Sequence, residues 1–352
     1  MKILLLADYP FHQSGLSVLA ESCYKGLTEL GHEVTVCSLF DPQGINTLCS
    51  SKQFDLSLGI GYWQDAERQI SIPKKYNIPV ALWWVSEANV PKYQDIIPKA
   101  DLLLTTSNYS TKVFQKYVPE SKPKTLYIGT DVDFYKPNPE IEVKRSFATF
   151  ISSGEIKGAE EALTAVKFLK DKNLQYSYIV HSPFAKEYKL EKDFMLRLQN
   201  LVFKHSLEKW TSLVAGLKIP VEKMPWIYQS MYAYLAPLRM ACFGIPLIEA
   251  GACGTPSIAG AWEPMSEIIE DGKTGILIPH MAKGISPKFQ EGIWYTEEYK
   301  MIDTTILAEK IEWLLNNPEE RNKMGQNARK VVEERFNSKK QIKLLEKELL
   351  KL

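Results

Sequence analysis

The chain has 352 residues, 45% of them hydrophobic, and its 43 basic and 42 acidic side chains leave a formal net charge of +1. This length suffices for two domains with buried cores, and the near balance of charge gives no sign of a nucleic-acid-binding surface, which usually carries a basic excess. The odd number of cysteines, five, without a C-x-x-C pair, favours reduced thiols in a cytoplasmic protein, and the five scattered histidines form no metal-binding motif.

The opening residues predict a parallel strand followed by a helix. Residues 2–7 form a continuous apolar run, which is typical of a strand covered on both faces. Apolar residues then recur at three- and four-residue spacing between Leu16 and Leu30, and Gly31 suits the end of a helix. With a second strand at 33–39, this β-α-β pattern predicts an α/β fold with a doubly wound sheet.

The alternation of strands and helices continues along the chain. Further strands are predicted at 55–60, 79–83, 101–105, 124–128, 146–152, 176–180, 212–215 and 231–236, within 251–260, and at 275–278. Helices are predicted at 109–117, at 159–169 and over most of 304–352. No apolar run approaches the roughly 20 residues that cross a bilayer.

Two α/β series are separated by the proline-rich, polar stretch 136–139. We therefore expect two Rossmann-like domains, residues 1–137 and 138–337, with a final helix at about 338–352 packing back on the first. The segment 280–302, which contains Trp294 and Tyr295, is longer than most connections and is either a binding loop or a surface excursion.

Residues 237–260, PLRMACFGIPLIEAGACGTPSIAG, carry the clearest chemical signal. Gly244 and Pro246 predict the start of a helix, whose free amides and dipole suit a phosphate or a sugar hydroxyl. Glu249 follows about one turn later, where its carboxylate can accept hydrogen bonds from two vicinal ribose hydroxyls. The alternative is a helix with an exposed glutamate and small residues for close packing.

This segment resembles the signature of the family-4 retaining glycosyltransferases, which have the GT-B architecture of two Rossmann-like domains facing each other across a cleft. The positions in register are Pro237, Phe243, Gly244, Glu249, Ala250, Ala252, Gly254, Pro256, Ile258 and Ala259. Similar matches follow the family's order at residues 31–34, 129–137, 153–158, 267–275 and 321–329. The resemblance therefore covers nearly the whole chain.

The resemblance implies an enzyme that moves a sugar from a UDP- or GDP-linked donor to an acceptor with retention of anomeric configuration. Glu249 matches the residue that binds the donor ribose, and Lys157 matches the lysine that neutralises the departing diphosphate. A solvated loop lysine is the alternative for Lys157. The remaining candidates for donor binding are Gly15 in the first domain, and Phe243, Gly244 and Ile245.

We expect no metal and no cofactor, with the nucleotide-sugar donor as the co-substrate. The acceptor is a glycan, a lipid-linked molecule or another small molecule, and the sequence leaves contact with a membrane surface open. The base and sugar of the donor, the acceptor and the new linkage carry no signal of their own.

Several positions depart from the family's pattern. Ala241 stands where the family has the first glutamate of a pair, and no arginine precedes Lys157. A histidine is missing from the region around Glu87, which is the one carboxylate there and is either a replacement catalytic group or a rim residue. The departures leave open a non-catalytic nucleotide-binding relative that acts as a scaffold or partner subunit, and an epimerase of nucleotide sugars.

Four aromatic residues near the same region allow two interpretations. They form a stacking platform for an acceptor, or they pack in the core, which we favour for at least two of them. They are Tyr62, Trp63, Trp83 and Trp84.

Overall fold

A computed structural model describes the chain except for residues 13, 52, 87–88, 152–153, 171, 173 and 291–292, and gives only the backbone of 154–155, 286–290 and 293–297. The chain divides into two compact units. The first comprises Met1–Gly129, Ser286–Glu297 and Phe336–Leu352, and the second comprises Thr130–Ile285 and Glu298–Arg335. The division at Gly129 therefore lies earlier in the chain than the expected boundary at 137.

The first unit contains a six-stranded parallel sheet in the order β2-β1-β3-β4-β5-β6. Its strands are β1 Lys2–Ala7, β2 Glu33–Ser38, β3 Leu56–Gly61, β4 Val80–Trp84, β5 Leu102–Thr105 and β6 Lys124–Thr125. The helices of this part of the chain are α1 Gly15–Glu29, α2 Pro42–Ser50, α3 Ile72–Lys75 and α4 Asn108–Tyr117. Every residue of β3, β4 and β5 is buried, as is typical of parallel strands covered on both faces.

The second unit repeats this plan with a parallel sheet in the order β12-β11-β10-β7-β8-β9. Its strands are β7 Ser146–Phe150, β8 Ser177–Ser182, β9 Thr211–Ala215, β10 Ala233–Ala236, β11 Ser257–Gly260 and β12 Gly275–Ile278. Its helices are α5 Ala159–Leu169, α6 Lys189–Lys204, α7 Met224–Ser230, α8 Ile245–Ala252, α9 Met265–Ile268, α10 Thr304–Asn316 and α11 Pro318–Arg335. The predicted α/β fold with two Rossmann-like domains is confirmed.

The segment 280–302 contains two strands instead of a loop. Strands β13 (His280–Gln290) and β14 (Ile293–Ile302) form a separate two-stranded sheet. Trp294 and Tyr295 lie among the residues whose side chains the structure does not describe.

The stretch that follows Gly129 is fixed to the second unit. The Arg329 guanidinium donates to the carbonyl of Val132 at 2.9 Å and to that of Tyr135 at 2.6 Å. The amide of Asn138 donates to Gln229 Oε1 at 2.5 Å. The proline-rich stretch 136–139 is therefore packed on the second unit.

The chain ends with helix α12 (Ser338–Leu349), which belongs to the first unit. Its Ile342 packs so closely on α1 that a Cβ atom at Gly26 would lie 2.9 Å from the Ile342 side chain. Glu346 pairs with His32 at 2.8 Å, and Glu348 pairs with Lys124 at 3.0 Å. In the described part of the chain, no helix is both long and apolar enough to cross a membrane.

Candidate functional site

The predicted helix in the segment 237–260 is present and begins where the glycine and proline indicate. Gly244 precedes α8 and has a φ of +123°, a backbone conformation that residues with a Cβ atom rarely adopt. Pro246 occupies the first turn, where its missing N–H costs no helical hydrogen bond. The helix amides near Gly244 are thereby presented at the C-terminal end of β10.

Glu249 lies in the middle of α8, and two tyrosine hydroxyls hold its carboxylate. Tyr228 on α7 donates to Glu249 Oε2 at 2.6 Å, and Tyr135 donates a second hydrogen bond. Burial raises the pKa of Glu249 above its ordinary value, while the two hydrogen bonds act in the opposite direction. The carboxylate is therefore oriented by its neighbours, although the residue is only half-buried as a whole.

Aromatic rings surround these hydroxyls. The Tyr228 ring lies 6.1 Å from that of Tyr135, 5.6 Å from that of Phe150 and 6.2 Å from that of Tyr234, each nearly edge to face. Burial, together with the Glu249 carboxylate, raises the pKa of both Tyr228 and Tyr135, so both remain proton donors at neutral pH.

Lys157 lies on a segment that contacts the loop before α8. It ends the 3₁₀ turn Gly154–Lys157 and is half-buried. Gly158 follows with a φ of +67°, and a Cβ there would lie only 1.9 Å from the carbonyl oxygen of Pro237. The amide of Arg239 donates to the carbonyl of Ile156 at 2.8 Å. The structure therefore brings the two predicted segments side by side.

A buried ion cluster joins the same two segments. Arg239 Nε lies 2.7 Å from Glu161 Oε1, and Arg239 Nη2 lies 3.0 Å from Glu160 Oε2. Glu161 is 3% exposed, and Arg239 provides its carboxylate with an oppositely charged partner. Burial lowers the pKa of Arg239, but the glutamates outweigh it and the net shift is upward.

The other predicted donor-binding residues lie in different surroundings. Phe243 is buried, Ile245 is the first residue of α8, and Ala241 is also buried. Gly15 begins α1 in the first unit, directly after Ser14, whose hydroxyl accepts the amide of Ser17 at 3.2 Å. Glu87 lies outside the described residues.

The aromatic platform is largely core. Trp83 and Trp84 are fully buried and Trp63 is 3% exposed, whereas Tyr62 is 38% exposed. Trp83 Nε1 donates to the carbonyl of Leu126 at 2.9 Å, and Trp84 Nε1 donates to Gln69. The core-packing interpretation thus fits the three tryptophans. Among the described residues, no group of His, Cys, Asp or Glu is suited to hold a metal ion.

Sequence reasoning does not find the residues that hold the candidate site together. Tyr135 and Arg239 lie within stretches that resemble the family, 129–137 and 237–260, but the sequence does not indicate their partners, and Tyr228 lies outside every matched stretch. The pair Glu160 and Glu161 is visible as acidic residues in the first turn of α5, but that position is common in helices.

Two α/β units, each built on a six-stranded parallel sheet, are the architecture known as the GT-B fold. Residues 131–291 match the family model described as "Glycosyl transferases group 1". The fold is similar to that of sucrose-phosphate synthase from Thermosynechococcus elongatus, with a TM-score of 0.79, 17% identity and 99% of each chain covered. It is also similar to Anabaena Alr3699/HepE in complex with UDP and glucose, with a TM-score of 0.77, 16% identity and 100% of each chain covered.

Curated relatives match over part of their length. The chain is 26% identical over 203 residues to the D-inositol 3-phosphate glycosyltransferase of Corynebacterium jeikeium, covering 53% of this chain and 47% of that protein. It is 28% identical over 130 residues to the sucrose synthase of Denitrovibrio acetiphilus, covering 37% of this chain and 14% of that protein. The chain therefore spans about half or less of the length of these relatives.

Proposed function

We propose that the protein transfers a sugar from a nucleotide-sugar donor to an acceptor hydroxyl with retention of anomeric configuration. The observation that carries this proposal is the contact between the segment of Lys157 and the loop that leads to Glu249. The second unit then binds the donor, and the first unit supplies the acceptor side together with Gly15.

In this proposal Glu249 binds the ribose of the donor. A carboxylate has two oxygens that accept hydrogen bonds, and two vicinal hydroxyls present two donors. Tyr228 and Tyr135 already orient the carboxylate, so little rotational freedom is lost when the nucleotide binds. The amides at the start of α8 are then available for the diphosphate.

Lys157 stabilises the leaving group. The bond between the sugar C1 and the diphosphate oxygen breaks, the acceptor oxygen bonds to C1 on the same face, and the acceptor proton passes to the departing diphosphate. A fixed cation beside the diphosphate favours the charge that develops there, which is usually a large catalytic contribution. This course requires no protein nucleophile.

We propose a uridine or guanosine diphosphate sugar as the donor and a glycan, lipid-linked molecule or other small molecule as the acceptor. The complexes of HepE with UDP and with UDP-glucose support a uridine nucleotide. Because Ala241 offers no carboxylate to the transferred sugar, we expect looser selection of that sugar, and Ala241→Glu should change the donor-sugar preference.

A binding panel and a transfer assay test the proposal. Nucleotides and nucleotide sugars that bind the folded chain raise its thermal midpoint, by an amount that grows with the logarithm of the ligand concentration divided by Kd. Lys157→Ala should abolish transfer and leave binding of the free nucleoside nearly intact. Glu249→Gln should weaken binding of the nucleoside and of the nucleotide sugar alike. Lys167→Ala and Glu222→Gln, at exposed positions, are the matched controls.

The outcomes separate catalysis from mere binding. If the wild type binds a nucleotide but neither hydrolyses the donor nor transfers its sugar, and is thus as inactive as Lys157→Ala and Glu249→Gln, the protein is a non-catalytic nucleotide-binding relative. If product forms, the anomeric proton coupling of the new linkage decides between retention and inversion.

A further inference from the structure

Strand β9 is an edge of the second sheet whose outer side carries open backbone groups. The amide of Tyr178 donates to the carbonyl of Trp210 at 2.6 Å, and the amide of Gly216 donates to that of Ser182 at 2.8 Å. In a parallel pair, alternate residues face the neighbouring strand, so the amides of Leu213 and Ala215 point away from β8. Neither amide has a hydrogen-bond partner within the described residues.

The sequence of β9, TSLVA, contains none of the charges or prolines that usually protect a sheet edge. The opposite edge of the same sheet is protected, because the amide of Leu277 on β12 donates to Asp271 Oδ1 at 2.8 Å. Strand β9 is thus ready to pair with a further strand.

An apolar groove of about 550 Å³ runs beside this edge, between β9 and α6. The strand contributes Thr211, Leu213 and Ala215 to its wall, and α6 contributes Leu196 and Phe203 among others. Leu196 is 49% exposed and Phe203 is 57% exposed. Because these side chains line one groove, their exposed apolar surface is grouped in one place instead of being scattered singly.

The rim of the groove carries opposite charges at its two ends. Glu208 lies at the end where β9 begins, whereas Lys186 lies against Gly216, at the end where β9 stops. Lys192 is in the first turn of α6, which runs back along the strand, and so belongs to the lysine end. None of these three side chains has an ion-pair partner in the part of the chain that the structure describes.

We propose that a second copy of this chain docks on this groove, with the two β9 strands antiparallel about a twofold axis at Leu213. A twofold axis reverses the direction of the strand, so Glu208 of one copy faces Lys186 and Lys192 of the other. Leu196 and Phe203 of the two copies then cover each other on one face of a continuous sheet. The surface is self-complementary, as an isologous interface requires.

The molar mass of the full chain, measured by light scattering and sedimentation over a dilution series, tests this proposal. The wild type should be a dimer. Ala215→Pro removes an outward amide without breaking a bond to β8, and should give a monomer. Phe203→Ser should also give a monomer, while Leu190→Ser, on the same helix but outside the groove, should remain a dimer.

A charge exchange tests the orientation. Glu208→Lys should raise the dimer Kd about tenfold or more, because like charges then face each other, and adding Lys192→Glu should restore it. A wild type that stays monomeric at high concentration overturns the proposal, as does a dimer that survives both Ala215→Pro and Phe203→Ser. If those two variants dissociate but the exchange does not restore the dimer, the twofold arrangement is wrong.

Discussion

Glu249 is the residue on which the proposed nucleotide binding depends, and its charge is a balance of opposing effects. Burial favours the protonated acid, and the hydroxyls of Tyr228 and Tyr135 favour the carboxylate. The net pKa is raised, so the contribution of Glu249 to folding stability is present at low pH and is lost as pH rises through the raised pKa. Nucleotide binding has the opposite dependence, because it needs the ionised form.

Tyr228→Phe should therefore shift the pH dependence of nucleotide binding. Loss of this hydrogen-bond donor raises the pKa of Glu249 further. As the pH is lowered, the affinity for the nucleotide should therefore begin to fall at a higher pH than in the wild type. The ratio of the variant Kd to the wild-type Kd should grow as pH falls, towards about tenfold, the cost of about one hydrogen bond to a charged group, and should be smaller at pH 8. Calorimetric titration with UDP and GDP across this range measures the effect.

Tyr232→Phe is the matched control for that experiment. It removes a buried hydroxyl that donates to the carbonyl of Leu314 at 3.2 Å and does not contact Glu249. Equal pH profiles for the wild type and Tyr228→Phe would contradict the assignment of Tyr228 as a positioning residue.

At the scale of elements, the turn that ends at Lys157 is held against the loop after β10 by close packing. Gly158→Ala should reduce both stability and transfer, because its Cβ would overlap the carbonyl of Pro237 in addition to straining the backbone. Gly272→Ala is the control: its φ is +70°, but no atom lies within 4 Å of the added Cβ. It should cost only about 1 kcal/mol of unfolding free energy, the penalty of the left-handed conformation. Similar losses from the two substitutions, measured by urea unfolding, would show that the contact with Pro237 is unimportant.

The ion cluster should stabilise the same junction. Arg239→Met leaves the buried carboxylate of Glu161 without its partner and should lower the free energy of unfolding by about 3 kcal/mol. Lys172→Met breaks the more exposed pair with Glu312 and should cost less than about 1 kcal/mol. If both variants unfold at the same urea concentration, the cluster contributes little.

Several elements with a clear hydrophobic period are predictable from the sequence, whereas α6, whose apolar face is blurred, is not. The bounds of β1, β12 and α5 agree with the predicted 2–7, 275–278 and 159–169. Helix α6 has no predicted counterpart, because Leu190, Leu196 and Phe203 are exposed and blur its apolar face, and Tyr188 provides no side-chain cap. The strand expected within 251–260 begins only at Ser257, since α8 extends to Ala252.

The candidate site, too, contains residues that the sequence predicts and residues that it does not. The start of α8 follows from the local chemistry of Gly244 and Pro246, and the resemblance pointed to Glu249 and Lys157. The tyrosines that orient Glu249 come from other parts of the chain, and Arg239, although it lies in the segment 237–260, pairs with glutamates that are distant in sequence. Their partners depend on strand order, which a local pattern does not specify.

At the scale of the whole molecule, the chain returns to its first unit in the last helix, so the stability of that unit depends on residues at the far end of the sequence. Leu345 on α12 is fully buried, while the adjacent Leu344 is 49% exposed. Leu345→Ala should lower the unfolding free energy of the first unit by about 3 kcal/mol, the usual cost of removing a buried leucine side chain, and Leu344→Ala should have little effect. Hydrogen exchange resolves the two units: protection should fall in β1 and α1 and stay unchanged in β7 and β10. Loss of protection in both sheets would instead mean that the two units unfold as one cooperative structure, in which a substitution on α12 also weakens the donor side.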